Sequence, residues 1–304
     1  MSDAPGVSPT EERNPHTVAI DRLPTLDMLR LINAEDRKVA PAVSLVLPEL
    51  AQAVELAVTA LRGGCRMHYF GAGTSGRMAV LDAAELHPTF GIGYERVVAH
   101  IAGGLPALHT AAEGVEDDAE QGAAAAAGLR AGDVAVGATA SGTTPYVAGA
   151  LRAARAAGAS TVLVSANPAA PLADLADVHI AVDTGPEAIT GSTRMKAGTA
   201  QKLVLNALST AVMVRLGRTY SNLMTDMVAS NTKLRGRQVR MLTQATGLPA
   251  QTCTVALLEA GGESKVALVA LLAQTPAADA RRALERTEGV VHAALAALAA
   301  LNGR

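Results

Sequence analysis

The run Gly71-Ala72-Gly73-Thr74-Ser75-Gly76-Arg77 follows a short apolar stretch and opens a helical pattern. Its glycines let the backbone turn sharply and come close to a ligand. A helix N-terminus placed there offers free N–H groups and a partial positive charge, which suit a phosphate. Gly73, Thr74, Ser75 and Gly76 form the cradle; Thr74 and Ser75 add hydroxyl donors and Arg77 adds charge. A second turn, Ala140-Ser141-Gly142-Thr143-Thr144-Pro145, also follows an apolar run and starts a helix. One such turn is as readily a helix cap, since Ser and Thr are ordinary N-caps. Two at one sheet edge point to Ser141, Gly142, Thr143 and Thr144 converging with the first turn on a single phosphoryl group. Ser192, Thr193, Arg194 and Lys196 form a third candidate, two cations in a Gly/Ser/Thr setting.

The spacing Gly71, Gly73, Gly76 also fits a dinucleotide fingerprint, a weak signal alone. That reading needs an acidic residue at the end of the next strand to hold a ribose. Glu95 lies near the required distance but precedes the apolar run Val97–Ile101. Phosphate binding without a dinucleotide is the better reading. His87 and His109 are isolated, and Cys65 and Cys253 match no metal-ligand spacing.

Five short apolar runs position these turns: 66–70, 97–101, 134–138, 161–165 and 178–182. Helical, Ala-rich segments fill three of the four gaps, at 78–86, 108–129 and 146–157. The alternation predicts an α/β fold, a doubly wound, mostly parallel five-stranded sheet with helices on both faces in three αβα layers. Ligands of such sheets bind at the carboxyl ends of the strands, where the Gly/Ser/Thr turns stand. Residues 1–17 read as a flexible arm, and 25–60 as two helices with Thr25 as an N-cap. Thr246-Gly247-Leu248-Pro249 stops one helix, and three short amphipathic helices follow. The domain reading is an N-terminal arm and helices over 1–50, a sugar-phosphate-binding domain over 51–241 and a small helical module over 242–304.

Composition bounds the function. With 49% hydrophobic and 18% charged residues the 304-residue chain is globular. A net charge of −2 leaves no basic footprint for nucleic acid or an anionic membrane. The polar, Pro-containing N-terminus lacks the basic start and apolar stretch of a signal peptide, so a cytoplasmic protein is expected. The most apolar segment, 203–216, is interrupted by Asn206, Ser209, Thr210 and Arg215 and reads as a buried helix; its lack of a charged face suits burial between elements or subunits, and a homodimer is expected.

The two turns look like those of the SIS family of phosphosugar-binding domains. Further runs are similar to the N-acetylmuramic acid 6-phosphate etherases within it: Glu12-Arg13-Asn14-Pro15, Leu81-Asp82-Ala83 with Glu85, Glu113-Gly114-Val115-Glu116-Asp117, Asn222-Leu223-Met224 and above all Thr190 to Lys202. The resemblance covers residues from about 8 to the C-terminus. Two departures stand out: Leu86-His87-Pro88 where the family has Cys-Pro-Pro, and Thr143 where it has Arg.

The resemblance implies a phosphorylated amino sugar as partner, no metal or cofactor, and release of D-lactate with N-acetylglucosamine 6-phosphate left behind, as in cell-wall amino-sugar recycling. It places the family's two functional glutamates at Glu85 and Glu116, with Glu116 as base and Glu85 as acid. Read alone, Glu116 is one of an acidic run, Glu113 to Glu120, and Glu85 a surface residue near a helix end. If 76–85 is wholly helical it spans roughly 13 Å, so either the helix breaks early or Glu85 serves a neighbouring subunit. A sugar-phosphate isomerase and a non-catalytic sugar-phosphate sensor remain alternatives at this level.

Overall fold

The computed structural model describes residues 8–229 and 232–302. They fall into two compact units: the residues up to Ala84 with Tyr94–Ser209, and Glu85–Gly93 with the residues from Thr210 on. These limits differ from the breaks read from sequence at 50/51 and 241/242. The sequence reading follows Gly/Pro punctuation, whereas two of the boundaries, Ala84/Glu85 and Ser209/Thr210, fall inside unbroken helices.

The first unit begins with helices α1 (Thr25–Asp36), α2 (Val39–Ser44) and α3 (Leu47–Arg62). The sheet then alternates with helices: β1 (Met67–Gly71), α4 (Gly73–Phe90), β2 (Val97–Ile101), α5 (Ala119–Ala125), β3 (Val134–Ala138), α6 (Pro145–Ala156), β4 (Ser160–Ser165) and β5 (Val178–Ala181). Helix α7 (Lys196–Arg215) follows. The order is β2-β1-β3-β4-β5, and every neighbouring pair is parallel, so the sheet is wholly and not mostly parallel. The chain reverses direction across the sheet between β1 and β3, the switch point where such folds open a crevice.

Alternation within β1 sorts the layers. Phe70 packs with Val147 and Leu151 of α6, and the next residue back, Tyr69, donates its hydroxyl to Asp82 of α4 at 2.9 Å. Asp82 is buried and also accepts from Asn206 at 2.6 Å and Ser209 at 2.9 Å, both on α7. Burial pushes its carboxyl up, against the three donors that favour the ionised form.

Several local readings are corrected. The helix expected over 108–129 is mainly loop, with one-turn 3-10 segments at Leu105–Leu108 and Val115–Asp117, and α5 covers only seven residues. Gly114 adopts φ +72° and Asp118 caps α5 by accepting from the Gln121 N–H at 2.8 Å, so the chain cannot run helically through either. Thr25 is the first residue of α1 and Pro24 precedes it; there is no side-chain cap. Three N-terminal helices replace two. The arm over 8–17 is held: Thr10 and Asn14 are buried, the Gly191 N–H donates to the Thr10 carbonyl at 3.2 Å, and the Asn14 amide donates to the Pro186 carbonyl at 3.1 Å. Residues 1–7 of the expected arm lie outside the described residues.

The second unit holds a two-stranded hairpin, β6 (Thr219–Tyr220) and β7 (Leu223–Met224). Five helices follow: α8 (Thr232–Thr246), α9 (Ala250–Glu259), α10 (Ser264–Ala273), α11 (Ala277–Arg286) and α12 (Val291–Asn302). Four follow Pro249 where three are expected. They enclose a core of Leu242, Cys253, Leu268, Val269, Ala280 and Ala294. Among the described residues no single helix is long and apolar enough to cross a membrane.

On the α6 side of the sheet, His68 of β1 and His100 of β2 stack with Phe70, with ring centroids 5.3 Å and 4.6 Å from the His100 ring. The two imidazoles share a hydrogen bond of 3.0 Å, which requires one acceptor nitrogen and therefore a neutral ring. Burial first, and then the neighbouring His100, lower His68 to about 4. An unfolded His takes up its proton near pH 6.5. Between pH 6.5 and about 4 the unfolded chain therefore binds a proton that folded His68 refuses. Stability should be unaffected by this residue above pH 6.5 and fall as pH drops through that window, by roughly 3 kcal/mol at its lower end. Melting temperatures of the wild type and His68→Gln measured from pH 7.5 to 4.5 should converge as pH falls, with the variant showing the shallower dependence.

Candidate functional site

Both hydroxyl-rich turns stand at the switch point of the first unit, one after β1 and the other after β3. The first is unusually tight. A Cβ on Gly71 would lie 2.8 Å from the Gly76 nitrogen, and one on Gly76 would lie 2.6 Å from the Gly71 carbonyl and 2.7 Å from Ile101 of β2. Only glycine at both positions lets α4 start this close to the end of β1. Gly73 opens the helix with φ +52°. Thr74 is half-buried and Ser75 buried, so their hydroxyls and N–H groups lie at the foot of the sheet edge.

Thr144 immediately precedes α6, but its hydroxyl does not cap that helix; it pairs with Thr139 at 2.7 Å. Ser141 and Thr143 hydroxyls pair at 2.7 Å, and the Thr143 N–H points at the Ser141 oxygen at 3.3 Å. The buried Asn167, at the end of β4, donates to the Ser141 carbonyl at 2.9 Å and so holds this turn against the neighbouring strand. Gly142 is buried beneath the turn and Thr143 is exposed.

The third candidate segment divides. Ser192 and Thr193 are half-buried and Arg194 is exposed. Lys196 is not available to a ligand: it is 1% exposed and its ammonium donates to Glu35 at 2.7 Å. Burial raises the Glu35 carboxyl, but hydrogen bonds from Lys196, Lys38 and Asn14 outweigh this and hold it at about 2. The buried Glu187 accepts from the backbone N–H groups of Lys196 and Ala197, both at 2.9 Å. The N-terminus of α7 is thus already occupied by a carboxylate of the protein itself. Gly198 brings this helix start to Thr74: a Cβ there would lie 3.2 Å from the Thr74 methyl. Arg77 is likewise engaged, donating to the carbonyls of Leu108 at 3.3 Å and Thr110 at 3.5 Å. It holds the loop that leads from β2 toward Glu116.

Glu116 is exposed on its one-turn 3-10 segment, which packs against α6, the helix that the second turn begins. The loop carrying it leaves the carboxyl end of β2, beside the first turn. Glu85 is exposed on α4, which runs unbroken from Gly73 to Phe90. It stands about 13 Å along the axis from Gly76 by helical rise. Among the described residues neither carboxylate takes part in a hydrogen bond or ion pair. His87 donates from Nδ1 to the Ile92 carbonyl at 2.8 Å, and Leu86 is buried, so both residues of this departure serve the packing of the helix end. Sequence reasoning assigns no role to Glu35, Glu187 and Asn167: Glu35 meets Lys196 across 161 residues and Asn167 reaches Ser141 across 26, while Glu187 accepts from N–H groups only 9 and 10 residues downstream. It also passes over Thr184 and Gln201, buried with Oγ1 and Nε2 lacking a partner among the described residues.

Comparison with known proteins adds the lineage. Residues 49–155 match the family model of the glucokinase regulatory protein N-terminal SIS domain. The N-acetylmuramic acid 6-phosphate etherase of Thermobifida fusca is 64% identical over 265 residues, 87% of each chain. That of Symbiobacterium thermophilum is 56% identical over 87% of this chain and 88% of its own. The enzyme of the same name from Serratia proteamaculans is 50% identical over 95% of this chain and 98% of its own. With parallel strands in this order, both hydroxyl turns at one switch point and relatives of this identity over nearly the whole length, the chain belongs to the N-acetylmuramic acid 6-phosphate etherase family of SIS-domain proteins.

Proposed function

We propose that this protein cleaves the lactyl ether of N-acetylmuramic acid 6-phosphate, giving N-acetylglucosamine 6-phosphate and D-lactate. Membership of the etherase family carries the reading, and the two hydroxyl turns at one switch point support it. Ser75, Thr74 and the Ser141–Thr144 turn take the phosphate. Ser192, Thr193 and Arg194 complete that pocket.

The ether lies at C3, β to the C1 aldehyde of the open-chain sugar. Glu116 removes the C2 proton, and the C2–H electron pair moves into the carbonyl to form an enolate. The enolate reforms the carbonyl and expels the C3 oxygen, to which Glu85 gives a proton; the C3–O bond breaks and D-lactate leaves. Water then adds at C3 of the unsaturated aldehyde and a proton returns to C2. One ether and one water become one alcohol and one hydroxy acid, so no oxidant or reductant is required. Two carboxylates in different settings supply a base and an acid at neutral pH. The phosphate dianion keeps such a substrate inside a cell, and the cytoplasm is the proposed place of action.

The chain acts as a homodimer, with Glu85 serving the neighbouring copy's site. The unbroken α4 sets Glu85 far along the helix from Gly76. Leu26 and Leu29, one turn apart on α1, are 58% and 56% exposed, apolar surface of a kind that a second copy covers.

Three outcomes are expected. Incubation with N-acetylmuramic acid 6-phosphate should release lactate; in deuterated solvent Glu116→Gln should lose both lactate release and deuterium uptake at C2, while Glu85→Gln should lose release, by about 10²–10⁴-fold, and keep uptake. Full release by both variants would remove the assignment. Titration calorimetry of Ser75→Ala with the substrate should show binding weakened by up to ~1.5–3 kcal/mol, the value of a hydrogen bond to a charged group. Sedimentation at working concentration should give a dimer mass, and mixing Glu85→Gln with Glu116→Gln protein should restore lactate release; a fully active monomer would defeat the shared site.

A further inference from the structure

The second unit contains a cluster of charges apart from the phosphate turns and the two glutamates. Asp226, just after β7, pairs with Lys265 of α10 at 2.7 Å and with Arg218 at 3.6 Å. Thr225 donates to the same carboxylate at 2.8 Å, and Lys265 also donates to the Gly217 carbonyl at 2.9 Å. Asp226 is 16% exposed and Lys265 13%, so these pairs are largely removed from water and are worth more than surface pairs.

The cluster is built around the end of α4 that carries Glu85. A helix leaves its last carbonyls without intrahelical partners. Here the Val228 N–H donates to the Pro88 carbonyl at 3.3 Å and Arg218 donates to the Phe90 carbonyl at 3.4 Å. Gly91, with φ +61°, lies against the Asp226 backbone: a Cβ would come 2.6 Å from its carbonyl oxygen. Leu86, Phe90 and Ile92 are buried on either side of this turn. The helical module thereby reaches Glu85 through a short physical chain: α10, Lys265, Asp226, Arg218, the Phe90 carbonyl, and the helix turn before it.

We propose that Asp226 is a positioning residue for the acid step: with Arg218 and Lys265 it fixes the C-terminal turns of α4, and with them the Glu85 carboxylate. The proposal rests on the assignment of Glu85 as the acid. It gives the C-terminal helices a task in the reaction, that of anchoring the helix end on which the proton donor stands.

The test uses the full-length protein and compares two rates, D-lactate release and solvent deuterium uptake at C2 of unreacted N-acetylmuramic acid 6-phosphate. Asp226→Asn keeps the shape of the side chain and removes its charge; Lys265→Met removes the other end of the clamp and keeps the stem. Both variants should take up deuterium at the wild-type rate with unchanged KM, which also shows that the sugar-phosphate turns are folded. Both should release lactate about 10- to 100-fold more slowly, the cost of a proton donor misplaced by an ångström or so. Uptake and release falling together, or release unchanged, would overturn the proposal and leave the cluster a matter of stability alone. Glu85→Gln runs alongside: full release by that variant would show that the assignment of Glu85 is what failed.

Discussion

The site depends on how closely α4 approaches the end of β1. Gly71 and Gly76 touch backbone to backbone, with Ile101 of β2 closing the remaining space. No side chain fits at either glycine, and none is needed: the contact brings the helix start directly onto the sheet edge. The N–H groups of Thr74 and Ser75 and the dipole of an eighteen-residue helix therefore arrive at one point. The reversal of strand order between β1 and β3 places the second turn beside it. Much of the rest of the first unit holds these two turns in register.

That holding is done by buried carboxylates. Asp82 joins β1, α4 and α7 through Tyr69, Asn206 and Ser209; Glu187 fixes the first turn of α7; Glu35 neutralises Lys196 beneath the same helix. Each accepts at least two donors, the condition under which burying a charge is tolerable. A chain with 2% aromatic residues and no Trp has few large rings to lock its layers beyond Tyr69, Phe70 and Tyr146. These polar anchors supply the directionality that a core of Val, Leu and Ala does not.

The sheet was legible because its signals are local. Val134–Ala138 is a continuous apolar run between turn residues and Val97–Ile101 is broken only by His100; the strands coincide with both. The helix read over 108–129 fails for an equally local reason: the alanines suggest a helix, but Gly114 takes a left-handed conformation and Asp118 starts a new helix behind it. Other errors are of another kind. Lys196 sits among small hydroxyl residues as a ligand-binding cation would, yet its partner Glu35 lies 161 residues upstream. Asn14 reaches Pro186 across 172 residues, which gives no periodicity to read. Contacts of this sort decide which members of a promising motif remain open to a ligand, and only the folded chain displays them.

The anchored arm has a consequence for the motions of the site. Thr10 and Asn14 tie the N-terminal segment to the 186–191 loop by a few hydrogen bonds, with little apolar burial behind them. Such a segment opens at a lower free energy than the sheet beneath it. The loop bearing Ser192, Thr193 and Arg194 shares that local equilibrium, because Gly191 loses its acceptor whenever the arm lifts. Residues 8–17 and the 189–195 loop therefore open together, ahead of β1 and β3. The segment that carries Thr10 and Asn14 thus acts as a latch on a loop far downstream in the chain.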